Sequence, residues 1–178
     1  SIGILAESNA TGISVENGEM AIDGANAYGI KSSIMGTNNF TVTDLSILMT
    51  GRRANQTGIY SANGKDQVSA TTNKTISTSG ANGKGIHVLN SGSVDSINYS
   101  YNLSGNGSVG IYAESDATGI SVENGYMSID GSNTYAIRSF ISGNDKFTVT
   151  DLPISMSNGT YQTAIYSANG KVKVNANI

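Results

Sequence analysis

The nonapeptide ATGISVENG stands at residues 10–18 and again, letter for letter, at 117–125. It belongs to a longer duplication. Ser1-Ile-Gly-Ile-Leu-Ala-Glu-Ser matches Ser108-Val-Gly-Ile-Tyr-Ala-Glu-Ser at an offset of 107, and FTVTDL recurs at 40–45 and 147–152. The match closes on IYSANGK at 59–65 and 165–171, where one residue has dropped out and the offset is 106. Beneath it lies a shorter period, marked by a small residue followed by Ile. The pairs are Gly3-Ile4, Gly29-Ile30, Gly58-Ile59, Gly85-Ile86, Gly110-Ile111, Ala136-Ile137 and Ala164-Ile165, at steps of 26, 29, 27, 25, 26 and 28 residues. Periods in this range are the mark of a solenoid, whose units bury a core only by stacking.

Side-chain periodicity decides which solenoid. No run places apolar residues at i, i+3, i+4 and i+7, as a helical repeat requires. Alternation is common instead: Ile13 and Val15 flank Ser14, Phe40 and Val42 flank Thr41, and Leu45, Ile47 and Met49 flank Ser46 and Leu48. Met20 and Ile22, with Met127 and Ile129, repeat it around a small residue. Each is a short strand with one face inward. Asn17-Gly18, Asp23-Gly24, Asn63-Gly64, Asn124-Gly125, Asp130-Gly131 and Asn169-Gly170 separate them, and these residue types accept the left-handed backbone of tight corners. Three short strands in 25–29 residues make one coil of a parallel β-helix, six to seven coils in all, rising roughly 30 Å. The expected organisation is a single β-helix segment over 1–178, with a four-coil repeat at 1–107 and a partial second copy at 108–178. The small residue before each Ile is expected where the chain corners into a strand. Pro153, the only proline, replaces Ser46 of the other copy at an outward position near a strand start, where a lost ladder donor is tolerable.

This architecture accounts for a composition that is otherwise odd. Charged residues make up 13% of the chain, while Ser, Thr, Asn and Gly together approach half of it. A narrow coil needs few inward side chains, and the rest face water or turn corners. The absence of Cys excludes disulfides and thiolate metal sites, and the single His87 excludes a multi-histidine centre. A net charge of −3 without a basic stripe argues against nucleic acid as a partner. No apolar run is long enough to span a membrane, so no membrane contact is expected of these residues. The opening SIGILAESNA reads as repeat interior rather than a leader, and KVKVNANI stops partway through a coil. A segment of a longer spire is therefore expected.

If each Ile after the small residue points inward, its successor points outward. Coil by coil this gives Leu5, Lys31, Tyr60, His87, Tyr112, Arg138 and Tyr166, stacked about 4.8 Å apart on one face. Exposed Tyr and Arg are typical anchors of recognition surfaces, and sugar rings stack on Tyr. The structural account of the same row is mutual support between neighbouring side chains on a sheet face, and residue pattern alone favours that account. Arg52-Arg53, at a corner where the other copy reads Gly159-Thr160-Tyr161, is a second candidate site whose simpler reading is a solvated turn.

The signs of catalysis are weak. Glu7, Glu16, Asp23 and Asp44 recur as Glu114, Glu123, Asp130 and Asp151, and an active site is normally built once whereas corners are built in every coil. GANGKG at 80–85 lacks the spacer and the hydroxyl residue of a phosphate loop and reads as a corner. The calcium nonapeptide of toxin-type β-rolls is absent, and sequons such as Asn9-Ala-Thr11 arise by chance in so Ser-, Thr- and Asn-rich a chain. Neither an enzyme nor a cofactor is expected. The alternative is a carbohydrate-active β-helix enzyme of the lyase, glycosidase or phage tailspike type. A carboxylate or Lys/Arg cluster in one groove, present in only one copy, would mark it.

The phrases GIYAESDATGISVENG and TGIYSANGK resemble the passenger domains of bacterial type V autotransporters, and most of all the very large fusobacterial outer-membrane adhesins. The resemblance covers essentially the whole chain. It implies a right-handed parallel β-helix displayed on the cell surface and anchored in the outer membrane through a C-terminal barrel. The implied role is attachment to a receptor or glycan on host cells or on other bacteria. It carries over no catalytic residue.

Overall fold

The computed structural model describes residues 1–7, 9–10, 13–35, 39–142, 146–169 and 172–175. Thr11 of the sequon, Gly170 of the last Asn-Gly corner, and Lys171 lie outside the described residues. The described residues form two stacked parallel sheets and no helix. One sheet has seven short strands, in the order β1 (Ile2–Ala6), β3 (Tyr28–Ser32), β5 (Thr57–Ala62), β7 (Lys84–Leu89), β9 (Val109–Ala113), β11 (Tyr135–Ser139) and β14 (Thr163–Ser167). The other runs from β2 (Ile13–Asp23) through β4 (Asn39–Thr50), β6 (Lys65–Thr78), β8 (Ser93–Ser104), β10 (Gly119–Asp130) and β12 (Lys146–Thr150) to β15 (Val172–Asn175). Beside it, β13 (Ile154–Ser157) also pairs with β10. The chain alternates between the sheets and pairs each strand with its counterpart one coil away. It is a parallel β-helix of about six turns.

The second sheet holds two of the three short strands of each coil. Its long strands bend at a left-handed Asn or Asp: Asn17 (φ 55°), Asp44 (φ 54°), Asn98 (φ 61°) and Asn124 (φ 52°). These short polar side chains bear φ > 0 at low cost, so hydrogen bonding runs nearly unbroken through the bend. Around Asp151 (φ 49°) the halves separate into β12 and β13, both paired with β10. A second column of left-handed residues leads into the seven-stranded sheet: Asn26, Asn55, Asn82, Gly107, Asn133 and Tyr161. Their amides bind the next coil, Asn55 to the Ala81 carbonyl at 2.9 Å, Asn82 to Asn106 at 2.8 Å and Gly107 to Ser132 at 2.9 Å.

The nonapeptide folds as its alternation predicts. Ile13 and Val15 pack against the core, Ser14 and Glu16 face water, and Asn17-Gly18 makes the bend; Ile120, Val122 and Asn124-Gly125 repeat this. Pro153 is exposed and directly precedes β13.

The small residue before each Ile has a different cause from the expected one. Gly29, Gly58, Gly85 and Gly110 are not at corners and do not have positive φ. They sit inside the strands, facing the core, and space is what they supply. A Cβ on Gly29 would lie 2.3 Å from Ile47 Cγ2 and 2.6 Å from the Gly58 carbonyl oxygen; on Gly58, 2.3 Å from Ile76 Cγ2 and 2.7 Å from the Gly85 oxygen. A facing Ile and the backbone of the next coil leave no room there for a larger side chain.

Candidate functional site

The ladder register confirms the outward row residue by residue. Leu5 pairs with Lys31, Lys31 with Tyr60, Tyr60 with His87, His87 with Tyr112, Tyr112 with Arg138, and Arg138 with Tyr166. The inward Ile residues stay aligned in the same frame, from Ile4 through Ile30, Ile59, Ile86, Ile111 and Ile137 to Ile165. One row therefore fixes the other.

Around this row the structure gathers side chains that spacing from the Ile did not pick out. Tyr28, Lys84 and Tyr135 stand at the start of β3, β7 and β11, and Phe140 directly follows β11. With them the rings form a continuous chain of contacts. Tyr28–Tyr60 centroids are 5.4 Å apart, Tyr60–His87 5.3 Å, His87–Tyr112 4.9 Å, Tyr112–Phe140 6.1 Å, Phe140–Tyr166 5.8 Å and Tyr135–Tyr166 5.9 Å. Most meet edge to face, the arrangement that aromatic quadrupoles favour. Cations sit among them. Lys31 Nζ is 5.3 Å from the Tyr28 ring and 5.7 Å from Tyr60. Arg138 Cζ is 4.8 Å from Tyr135, 5.1 Å from Phe140 and 5.8 Å from Tyr112, and Lys84 Nζ is 6.0 Å from the same Tyr112 ring.

Charge on this face is incompletely paired. The His87 Nε2–H donates to Glu114 Oε1 at 2.8 Å. Burial holds the His87 imidazole below its ordinary range; the Glu114 hydrogen bond works against burial and the nearby Lys84 charge adds to it. Burial also lowers Lys84, with Glu114 opposing, and raises the Tyr60 phenol. Among the described residues the ion pairs are Arg53–Asp23, Lys65–Asp95 and His87–Glu114, so Lys31, Lys84 and Arg138 have no carboxylate within salt-bridge distance, although the Glu114 charge acts on Lys84. Arg138 Nε is buried without an acceptor. The guanidinium is held by ring faces rather than by an anion.

The other candidates lie elsewhere. Arg52 and Arg53 are exposed at the corner after β4 and touch none of the ladder rings; Arg53 Nε approaches Asp23 Oδ1 at 3.7 Å. GANGKG is the corner into β7, with Asn82 at φ 57°, and its Lys84 faces Tyr112. Asp44 caps the neighbouring coil, accepting from the Thr71 amide at 2.8 Å and the Thr71 hydroxyl at 2.9 Å, which together hold its carboxyl below the ordinary range. Among the described residues no three His, Cys, Asp or Glu converge as a metal site would need.

The fold and this face define a parallel β-helix with an aromatic and cationic ladder on one side. Comparison with protein-family models, curated proteins and solved structures finds no match to the chain.

Proposed function

We propose that this chain is a stiff, recognition-bearing segment of a cell-surface adhesin, of the kind that type V autotransporters display from an outer-membrane barrel. The observation that carries this reading is the unbroken outward ladder from Tyr28 to Tyr166, rich in residues that dominate binding interfaces. None of these rings belongs to the buried core cluster beneath them. Backbone ladders along the axis supply the stiffness of a stalk. The partner is a receptor or glycan on host cells or on other bacteria.

The test is retention of the labelled 178-residue chain on epithelial cells and on partner bacteria, beside a Tyr60→Ala/Tyr112→Ala/Arg138→Ala variant matched for strand content by circular dichroism. The parent is expected to bind saturably and the variant at least about tenfold more weakly, as loss of two or three anchors implies. Equal retention of both would remove the ladder from the explanation. No retention of the parent on any cell would remove recognition from this segment.

A further inference from the structure

The aromatic face is not uniform along the axis. At its middle a cleft of about 330 Å³ opens, lined by Asn55, Asn82, Lys84, Val109, Tyr112 and Arg138. Its origin is local and can be read from the corner column. Asn26, Asn55, Asn82 and Asn133 carry side chains at that corner, and Asn55 Nδ2 donates to Asn26 Oδ1 at 3.0 Å to continue the stack. Gly107 holds the same left-handed place (φ 75°) with no side chain, and a Cβ there would meet Asn82 Oδ1 at 2.3 Å. Asn82 Oδ1 therefore lies over the bare Gly107 backbone, on a cleft also lined by Lys84 and Arg138. Between Lys84 and Tyr135 in the row at the strand starts stands the short, buried Val109, which floors the gap.

Two cations that make no salt bridge among the described residues converge on this cleft from coils on either side of Tyr112, each within about 6 Å of its ring (6.0 Å for Lys84, 5.8 Å for Arg138). The Asn82 side-chain amide, without a partner at Gly107, completes the rim. A second depression of about 230 Å³ lies across the same ring, lined by Tyr112, Glu114, Ser115, Phe140 and Asn169. The two share Tyr112 as a dividing wall. An aromatic ring flanked by amides and hydroxyls is what a pyranose needs, with a ring face for its C–H side and polar groups for its hydroxyls. Neither Lys84 nor Arg138 makes a salt bridge among the described residues, Glu114 acting on Lys84 only from beyond contact, so an anion can be held between them, and guanidinium geometry favours a planar carboxylate.

We infer that the cleft over Gly107 and Val109 binds a carboxylate-bearing saccharide, its acid group between Lys84 and Arg138 and the adjoining sugar against Tyr112. This deepens the adhesin reading and rests on it for its context, though the binding chemistry stands on its own. A side chain at Gly107 would crowd Asn82 Oδ1 on the cleft rim and narrow the site.

The test uses the full chain in biolayer interferometry against three immobilised glycans: lactose capped with N-acetylneuraminic acid, the methyl ester of that glycan, and lactose. A glucuronate-capped lactose serves as a second acid. The acids are expected to bind at least tenfold tighter than the ester or lactose, and the difference should shrink as salt rises. Lys84→Gln and Arg138→Gln should each remove most of it. Gly107→Asn should weaken binding by crowding Asn82 at the rim, at some cost in melting temperature from that close contact. Equal binding of acid and ester overturns the inference, as does failure of both acids to bind, or full binding by a folded Gly107→Asn chain. Should Gly107→Asn not fold, the two Gln variants decide alone. Retention on cells without binding to either acid defeats this inference and leaves adhesion standing. Binding to an acid without retention on cells does the reverse.

Discussion

Asp66 occupies a core position. Its register partners are Phe40 on β4 and Val94 on β8, both fully buried, and it is itself 0% exposed. The polar groups facing it are the hydroxyls of Ser32 and Ser61, neighbours on the seven-stranded sheet, also buried. They stand close enough to ease a charge, yet neither carboxylate oxygen has a hydrogen bond of normal geometry. Burial therefore dominates and raises the carboxyl to about 7 from an ordinary 3.8, the two serines pulling the other way. In the unfolded chain the group ionises near 3.8; in the folded chain it keeps its proton up to about 7. The folded state thus holds more protons across that interval, and stability falls as pH rises through it.

Each tenfold gap in proton affinity is worth about 1.4 kcal/mol, so a gap of about three decades amounts to about 4 kcal/mol lost between pH 4 and 7. Asp66→Asn has the shape of the neutral acid and cannot ionise. Urea unfolding followed by far-UV circular dichroism at pH 4.5, 6 and 8 should show parent and variant close together at pH 4.5. The variant should be more stable by several kcal/mol at pH 8. The difference between the chains is the quantity to read, because His87, lowered by burial, adds an opposite trend to both: stability rising with pH up to its unfolded value near 6.5. A difference that stays flat with pH, or that favours the parent at pH 8, would refute the reasoning.

The Tyr99 hydroxyl accepts from the Leu45 amide at 3.3 Å and donates to the Leu45 carbonyl at 2.9 Å, two coils away. Tyr99→Phe should cost about 1–3 kcal/mol by leaving those buried groups unpaired, measured by urea midpoint. Gly58→Ala drives a methyl to within 2.3 Å of Ile76 Cγ2 and 2.7 Å of a backbone oxygen, and should destabilise by about 1–3 kcal/mol or more. An unchanged midpoint would mean that the small-residue column is not set by space. Asp44→Ala removes both bonds to Thr71 and should lower the urea midpoint at neutral pH, with the loss vanishing as pH falls through the lowered carboxyl.

What the sequence made legible was whatever repeats. The Gly-Ile step fixed the register of the seven-stranded sheet, and with it the row from Leu5 to Tyr166. What it hid was whatever depends on an irregular coil. The β4–β6 pairing slips after Thr43, and the β6–β8 pairing after Ser69, where residues 70–73 loop out of the ladder. The hydroxyl of Tyr99, fully buried, reaches past that detour to satisfy Leu45, and Tyr101 is buried beside it on Ser96. NYSYNLS reads as a polar strand when taken alone. The burial of both tyrosines goes with the register slip of the neighbouring coil, which no strand taken alone reveals. Lys84 was missed for a related reason: its place is set by the corner before β7, and GANGKG was judged on its likeness to a phosphate loop rather than on where the corner delivers its lysine.

The two copies separate scaffold from surface. At inward positions they repeat the same residues, Ile30 and Ile137, Phe40 and Phe147, Val42 and Val149, because each coil must match its neighbours in volume. On the outward face Tyr28 and Tyr60 recur as Tyr135 and Tyr166, while Lys31 gives way to Arg138 and Leu5 to Tyr112. In both sets the cation stands over the first of the recurring tyrosines, Lys31 over Tyr28 at 5.3 Å and Arg138 over Tyr135 at 4.8 Å. Lys-to-Arg is not a neutral exchange against ring faces, since the flat guanidinium stacks where an ammonium only points. The second set also adds Phe140 where the first has Ser33, and lies one coil from the gap at Gly107. Substitution on this face leaves the coil intact, so the solenoid can hold its register while the ladder changes from block to block. The recognition site proposed above falls where the copies diverge, at Tyr112 and Arg138.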